Sequence, residues 1–419
     1  MKLFDFQELG YKTLLGILSE KRVALEASGV GYGKTVVACL VAKALKLPVA
    51  VVCPKTIIPD WKKTIAACGI KSVFVTNSEM LKSKKFNHGR WLIKNRKYQW
   101  TLPDKTLLIW DEVHRCKNWK TQNSKILVAT TRYNFRVLMM SATIATTPLD
   151  MYAVGTVLGL HDGSSDWFHW LHRHGVRKGG FGFEFKGGAS SLKKLNTAVF
   201  PELGHRELPS EIPGFPANQV SVMSVETGKT REIQVALDAL SLLRKKDAPL
   251  PIVDQLRARQ VVELMKVPAL ADLTDDYVQA GNSVVVFLNF KESINQLAVK
   301  LNTPCLLTGD QTDDEKQWNI ALFQSNSEKV IICQIQCGGV GVSLHDVNGR
   351  PRVSLISPSY SAVDLVQALG RINRAGGLTP AIQKIIISAG TVEENIRKKL
   401  ENKIANLNAI LDSDLDFFS

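Results

Sequence analysis

The sequence predicts an α/β protein built of two parallel-sheet lobes, and three observations lead there. The chain has 419 residues, enough for two or three domains at roughly 150 residues each. Short apolar, β-branched runs alternate with helix-like stretches in two separate blocks, the pattern of repeated βαβ units. Apolar residues make up 45% and charged residues 22%, an ordinary globular balance, and no apolar run approaches the ~20 residues that span a bilayer.

In the first block the expected strands are Val23–Glu26, Val49–Cys53, Ser72–Thr76, Leu107–Trp110 and Arg136–Met140. In the second they are Ser283–Phe287, Pro304–Leu307, Val330–Gln334, Val353–Ile356 and Lys384–Ser388. The stretch between, roughly Gly163 to Gly281, differs in character. It opens with a Gly-rich basic segment (HRHGVRKGGFGFEFKGG), continues through a Pro-punctuated one (LPSEIPGFPANQ), and turns helical from about Thr227. The expected division is a first lobe over 1–165, a connector with a Gly-rich insertion and helices over 166–280, and a second lobe over 281–419. The insertion reads as a loop, with a wedge or clamp as the alternative. The acidic tail LDSDLDFFS is expected to fray or to pack through its phenylalanines.

The N-terminus lacks the charged, apolar and small-residue series of a signal peptide, so a cytoplasmic protein, or one of a host cytoplasm, is expected. The seven cysteines are scattered without a CxxC pair and read as reduced core thiols. His169, His172 and His174 lack a spaced fourth ligand and read as surface histidines rather than a zinc site. Charge says more: 53 Lys and Arg against 39 Asp and Glu leave +14. Such an excess favours a polyanionic partner. With no basic amphipathic helix or lipidation signal, nucleic acid is expected rather than a membrane.

Ser28-Gly29-Val30-Gly31-Tyr32-Gly33-Lys34-Thr35 follows an apolar strand and precedes the helix-like VVACLVAKAL. In such a strand–loop–helix, glycines let backbone N–H groups wrap phosphates at the positive end of the helix. Gly29, Gly31 and Gly33 fill that role, Lys34 reaches the β/γ-phosphates, and Thr35 offers its hydroxyl to Mg²⁺. Ser28 stands where the strict pattern has glycine. Downstream, LLIW runs into Asp111-Glu112-Val113-His114, which puts two carboxylates at the C-terminal edge of a buried strand. Asp111 there suits the Mg²⁺ shell, and Glu112 suits orienting and deprotonating an attacking water.

Ser141-Ala142-Thr143 after the next strand makes the pattern specific. The order GxGKT, DExH, SAT, GGVGVSLHD and QALGRINRAGG resembles that of a superfamily 2 helicase or translocase, over nearly the whole chain. VVCPKTIIPDW, DEVHRCKN and the Gln-led QALGRINRAGG are most similar to the Swi/Snf-type branch of duplex DNA translocases, and the compact size suggests a viral or bacterial member. The resemblance implies two RecA-like lobes with ATP and Mg²⁺ in the cleft between them. It makes Gln7 the adenine-reading glutamine and puts Gly341 and Gln367 with the nucleotide. Arg371 and Arg374, three apart and so on one face if that stretch is helical, suit the γ-phosphate as arginine fingers. Asp346 suits the ribose or the opposite lobe.

The same resemblance lays the backbone of a tracked nucleic-acid strand on Lys55, Thr76, Asn77 and Thr308, and on Gly339 and Ser343 of the glycine run. Such hydroxyls, amides and backbone N–H groups bond phosphates without reading sequence. A further candidate is Lys82 to Trp100, where seven Lys or Arg mix with Phe86, Trp91, Tyr98 and Trp100, the composition of a phosphate-tracking surface with stacking groups. A solvated basic face over core aromatics explains it nearly as well. The expected output is ATP-driven stepping along DNA that remodels or unwinds forked or branched structures, by a chain acting as a monomer. A duplex translocase that does not separate strands and an RNA helicase of the same fold are the alternatives. A silent DNA-binding scaffold is disfavoured by the full set Lys34, Asp111, Glu112, Arg371 and Arg374.

Overall fold

The computed structural model describes residues 2–92, 97–180, 182–226, 252–338 and 342–411. They form two units. The first takes Met1–Gly214 together with the turns that begin at Ile404, and the second takes Phe215–Lys403.

The first unit contains strands β1 (Val23–Glu26), β2 (Val49–Val52), β3 (Ser72–Thr76), β4 (Gly89–Leu92), β5 (Lys97–Trp100), β6 (Leu107–Asp111), β7 (Arg136–Met140), β8 (Val176–Gly179), β9 (Gly182–Phe185) and β10 (Gly204–His205). Six of them make a sheet in the order β10-β1-β7-β6-β2-β3, parallel throughout. β1, β2 and β6 are buried at every position, which is why they read as unbroken apolar runs rather than alternating ones. Glu26 pairs with Met140, and Met140 with Asp111. The ends of three central strands therefore stand in one row, and the loops that follow them open on one edge of the sheet, where ligands of parallel α/β sheets bind.

The second unit contains β11 (Asn218–Val225), β12 (Ser283–Leu288), β13 (Leu306–Leu307), β14 (Val330–Gln334), β15 (Arg352–Ile356) and β16 (Ala381–Ser388). Their order is β11-β16-β15-β12-β14-β13, again parallel throughout. The helix Ile252–Gln279 is tied to this sheet by polar groups inside an apolar core. Lys266, fully buried, donates to Glu393 at 2.7 Å, to the Ser357 hydroxyl at 2.9 Å and to the Ile386 carbonyl at 3.0 Å. Glu263 accepts the N–H groups of Asn289 and Phe290 at the end of β12. Paired on all sides, these charges do not carry the full cost of burial.

All ten expected strands are present, several with shifted ends, but the division of the chain differs from the expected one. The stretch 166–280 is not a separate connector. Its first part adds β10 to the first sheet, and its second part adds β11 to the second. The boundary lies at Gly214, not near residue 165. The Gly-rich segment is not a loop: β8 and β9 pair as an antiparallel hairpin, with Val176 opposite Phe185 and Lys178 opposite Phe183. Nor does the C-terminal helix Val392–Leu411 belong wholly to the second unit. Its Leu407, Ile410 and Leu411 are fully buried in the core of the first, where Asn196 donates to the Ile410 carbonyl at 2.9 Å. Their spacing of three and four residues makes one apolar stripe. The acidic tail from residue 412 and the helical start from Thr227 lie outside the described residues. Among the described residues, no helix is long and apolar enough to cross a membrane. Cys39, Cys53, Cys68, Cys116, Cys305 and Cys333 are buried and outside any disulfide.

Candidate active site

The phosphate loop leaves β1 at the sheet edge and ends on the helix Lys34–Ala44. Gly31 and Gly33 both have φ of 86°, a left-handed backbone that residues with a Cβ rarely adopt. A Cβ on Gly33 would also strike the Gln7 amide. Lys34 Nζ donates to the carbonyls of Ser28 at 2.8 Å and Gly29 at 2.9 Å. Burial pulls its pKa down, while Glu26, Glu112 and Asp111 oppose the shift. Gln7 is buried against the same loop. Its Nε2 donates to the Tyr32 carbonyl at 2.7 Å, and its Oε1 accepts the Phe4 N–H at 3.0 Å. Thr35, in the first turn of the helix, is half-buried.

Asp111 ends β6 and is 9% exposed. Its Oδ2 accepts the indole N–H of Trp61 at 3.0 Å, and its Oδ1 accepts the Glu112 N–H at 2.9 Å. Burial, then the neighbouring Glu112 carboxylate, raises its pKa from the usual 3.8 to about 6. Glu112 has φ of 53°, a strained conformation for a residue with a side chain, of the kind held at functional sites. Its Oε2 lies 3.1 Å from His114 Nδ1, which is also 3.0 Å from the Ser141 hydroxyl. The DExH turn is thereby joined to the SAT segment after β7. Two crowded carboxylates, one with its charge disfavoured, beside the half-buried Lys34 leave a local demand for positive charge. A hard cation bound to oxygen ligands meets that demand. The donor set fits Mg²⁺ held by Asp111 and Thr35 with a nucleotide triphosphate, where the ion would neutralise phosphate charge.

In the second unit Arg371 and Arg374 lie in turns beyond the helix Ala362–Leu369, not on one helical face. The helix stops because Gly370 caps it and the apolar Ile372 turns inward, 3% exposed. Arg371 Nη2 donates to Gln367 Oε1 at 2.6 Å and Nη1 to the Val342 carbonyl at 3.1 Å. Arg374 donates to the Val342 carbonyl at 2.8 Å and to the Ser343 hydroxyl at 2.7 Å. The two guanidiniums and Gln367 thus hold the end of the glycine run, while Gly339 and Gly341 lie outside the described residues. Asp346 is turned inward and occupied. Its carboxylate accepts the N–H groups of Asn348 and Arg350 and the Thr379 hydroxyl, so it organises its own loop.

Comparison with known proteins agrees with this arrangement. Residues 6–151 match the DEAD/DEAH box helicase family, and residues 265–376 match the helicase conserved C-terminal domain. A protein of Acanthamoeba polyphaga mimivirus named as an ATP-dependent RNA helicase is 31% identical, over 99% of this chain and 84% of its own length. The chain belongs to the superfamily 2 helicases, with Swi/Snf-like relatives. One of these is the SWI/SNF-related matrix-associated actin-dependent regulator of chromatin subfamily A-like protein 1 homolog of Caenorhabditis elegans, 22% identical over 99% of this chain. The chain spans 62% of that protein's length. Among solved structures, the Sulfolobus solfataricus SWI2/SNF2 ATPase core in complex with dsDNA aligns over 99% of this chain and 98% of its own, at 16% identity and a TM-score of 0.40. The two parallel-sheet units are the RecA-like lobes of an ATP-hydrolysing helicase.

Of the residues expected on a nucleic-acid strand, Lys55, Thr76 and Asn77 lie at or after strand ends in the first unit and Thr308 after a strand in the second, while Gly339 lies outside the described residues. Lys55 is exposed just after β2. Thr76 ends β3, 9% exposed, and Asn77 caps the next helix through its Oδ1 on the Met80 N–H at 2.9 Å. Thr308, 7% exposed, follows β13 and donates to Asp310 at 2.7 Å. In the basic aromatic segment, the aromatics fit the reading of a solvated basic face over core rings. Residues 89–100 include the hairpin β4–β5, in which Tyr98 and Trp100 point to one face and are 1% and 2% exposed. Phe86 and Trp91 pack beside them. Tyr98 and Trp100 are core, Phe86 and Trp91 are half-buried against it, and only Lys84, Lys85, Arg90 and Lys97 stay exposed among the segment's described basic groups. His169 and His172 are exposed as expected, but His174 is half-buried, stacked on Trp170 with ring centroids 4.1 Å apart.

Sequence reasoning missed Trp61, which closes the quoted VVCPKTIIPDW, and His205, which lies in a two-residue strand. It also missed that Phe168 and Phe183 form an exposed pair. Their rings lie 5.3 Å apart, 47% and 45% exposed. Phe168 comes from the helix Ser165–Arg173, whose opposite face buries Trp167 and Trp170.

Proposed function

We propose that this helicase steps along DNA and remodels forked or branched structures as it moves. In this reading Lys34 neutralises the phosphates, Thr35 and Asp111 hold Mg²⁺, and Gln7 reads the adenine. Glu112, held by His114, orients the attacking water and takes its proton. Arg371 and Arg374 stabilise the charge of phosphoryl transfer, a role worth about 10³–10⁵ in rate. Lys55, Thr76, Asn77, Thr308, Gly339 and Ser343 bind the phosphates of the tracked strand.

The observation that most supports a branched substrate is the β8–β9 hairpin. Its Phe183 and Phe168 of the preceding helix form the exposed ring pair, and the exposed Arg173, Lys178 and Lys186 lie on or next to the same elements. Phe183 stands directly opposite Lys178 in the ladder. An aromatic face beside cations suits an unpaired base with its phosphate, since stacking contributes about 1–3 kcal/mol per base. A closed duplex offers no such base.

An RNA substrate is the second reading, favoured by the printed name of the mimivirus relative. ATP hydrolysis measured with single-stranded, duplex, forked and four-way DNA, and with the same forms in RNA, separates the readings. The proposal expects the largest stimulation by forked or four-way DNA. Stimulation by RNA alone would overturn it, and equal stimulation by plain duplex would favour translocation without strand separation.

A further inference from the structure

Ser28 occupies the position where a phosphate loop ordinarily has glycine, and its side chain is fully buried. A buried hydroxyl needs partners, and the edge strand β10 supplies them. Ser28 Oγ accepts the Glu207 N–H at 3.0 Å and lies 3.2 Å from His205 Nδ1. His205 Nδ1 is 3.1 Å from one oxygen of the buried Glu26 carboxylate. The other Glu26 oxygen accepts the Ser28 N–H at 2.9 Å. With its proton on Nδ1, His205 shares one N–H between the Glu26 carboxylate and the Ser28 hydroxyl, so Glu26, Ser28 and His205 close a ring at the point where β1 becomes the loop.

The backbone reinforces that ring. The N–H of Ala27 donates to the His205 carbonyl at 2.8 Å, and that of Gly29 to the Glu207 carbonyl at 3.0 Å. Arg206 donates to the Ala27 carbonyl at 2.7 Å. A Cβ on Gly29 would collide with the Pro209 ring, its Cδ 2.5 Å away, so the segment after β10 lies directly on the loop. The two carbonyls that receive Lys34 are those of Ser28 and Gly29. His205 thus grips the same two-residue turn on which the phosphate lysine rests.

We propose that His205 is a positioning residue for the nucleoside triphosphate: through Glu26 and the Ser28 hydroxyl it fixes the first turn of the phosphate loop and the carbonyls that hold Lys34. A glycine at position 28 offers no hydroxyl, so Ser28 and His205 form a matched pair. The inference rests on the nucleotide reading of the loop.

The test is ATP affinity in the presence of Mg²⁺, measured by titration calorimetry on the full chain, with kcat and thermal midpoint recorded alongside. His205→Asn keeps an amide near the Nδ1 position, and His205→Gln fills the site with its amide near Nε2 instead. The Gln variant is expected to bind ATP about tenfold more weakly, the loss of roughly one hydrogen bond to a charged group. The Asn variant is expected to stay within about twofold, with kcat little changed in both. In a Ser28→Gly background the His205→Gln penalty is expected to shrink to less than half on a logarithmic scale, because paired residues are not additive. Equal affinities of the Asn and Gln variants, an undiminished penalty in the Ser28→Gly background, or a loss confined to the thermal midpoint would each overturn the inference. Failure of the unaltered chain to bind ATP would overturn the nucleotide reading itself, and this inference with it.

Discussion

Trp61 donates its indole N–H to Asp111 across 3.0 Å. The bond links the helix after β2 to the end of β6, and it favours the charged carboxylate against the burial and the Glu112 charge that disfavour it. The balance still leaves Asp111 with a raised pKa, from 3.8 to about 6. A folded state that holds a proton more tightly than the unfolded chain gains stability from this group at low pH. That gain is complete below about pH 4 and is lost as pH rises through about 6.

Asp111→Asn removes this titration. Without divalent cations, the variant is expected to melt progressively higher than the unaltered chain as pH is raised from 5 to 8, by an amount that approaches at most about 3 kcal/mol. Mg²⁺ with ATP should narrow the gap by stabilising only the unaltered protein. Melting curves at several pH values, with EDTA and with MgATP, check both halves. A gap that closes as pH rises would reverse the sign argued here.

Lys34→Ala and Glu112→Gln should separate binding from chemistry. In the proposed mechanism the first removes the cation that meets the phosphates, so it should weaken ATP binding. The second keeps the shape and hydrogen-bonding capacity of the side chain but removes the base, so ATP should bind while turnover falls by about 10²–10⁴. Nucleic-acid binding should survive both. Retention of more than about a tenth of the ATPase rate by Glu112→Gln would remove that residue from the base role.

Arg371→Ala and Arg374→Ala should abolish nucleic-acid-stimulated turnover with little effect on ATP binding. Each guanidinium also donates to the Val342 carbonyl, so a lysine replacement tests whether charge alone suffices. A lysine presents a point charge rather than a planar fork, and turnover of the Arg374→Lys variant should stay well below the unaltered rate. Full stimulated activity in either alanine variant would exclude that arginine from the reaction.

The sequence is most legible where one physical signal dominates. The buried strands announce themselves because both faces are apolar, and the phosphate loop and DExH turn because few other residues perform their chemistry. β10 has only Gly204 and His205 and no apolar run to signal it. β11 is an edge strand with exposed residues at both ends of its first seven positions, and a neighbouring Pro-rich stretch hides it. Tyr98 and Trp100 mislead for a different reason. Composition counts their lysine neighbours, whereas the period of two in a strand sends Lys97 outward and the rings inward. The pairing of Ser28 with His205 spans 177 residues, a distance no local pattern can register.

The last prediction concerns the hairpin. β8 and β9 are anchored at their base, where Val176 is 2% exposed and Phe185 packs on the core of the first unit. Toward the turn the ladder loses that support, and Phe183 faces solvent beside Phe168. Neither ring lies in the phosphate loop or against Asp111 or Glu112, so Phe168→Ala with Phe183→Ala should leave basal ATP hydrolysis and the thermal midpoint nearly unchanged. Losing one stacked base weakens binding by about 1–3 kcal/mol, comparable to one DNA stacking step of about 1.4. Opening the first base pair at a fork should therefore slow about tenfold or more, while movement along intact duplex, read by triplex displacement, stays near the unaltered rate. Replacing residues 178–188 with a short Gly/Ser linker should give the same division. Fork remodelling at full speed in both variants would show that the hairpin is not a wedge, and loss of triplex displacement along with it would assign the hairpin to the grip on duplex instead.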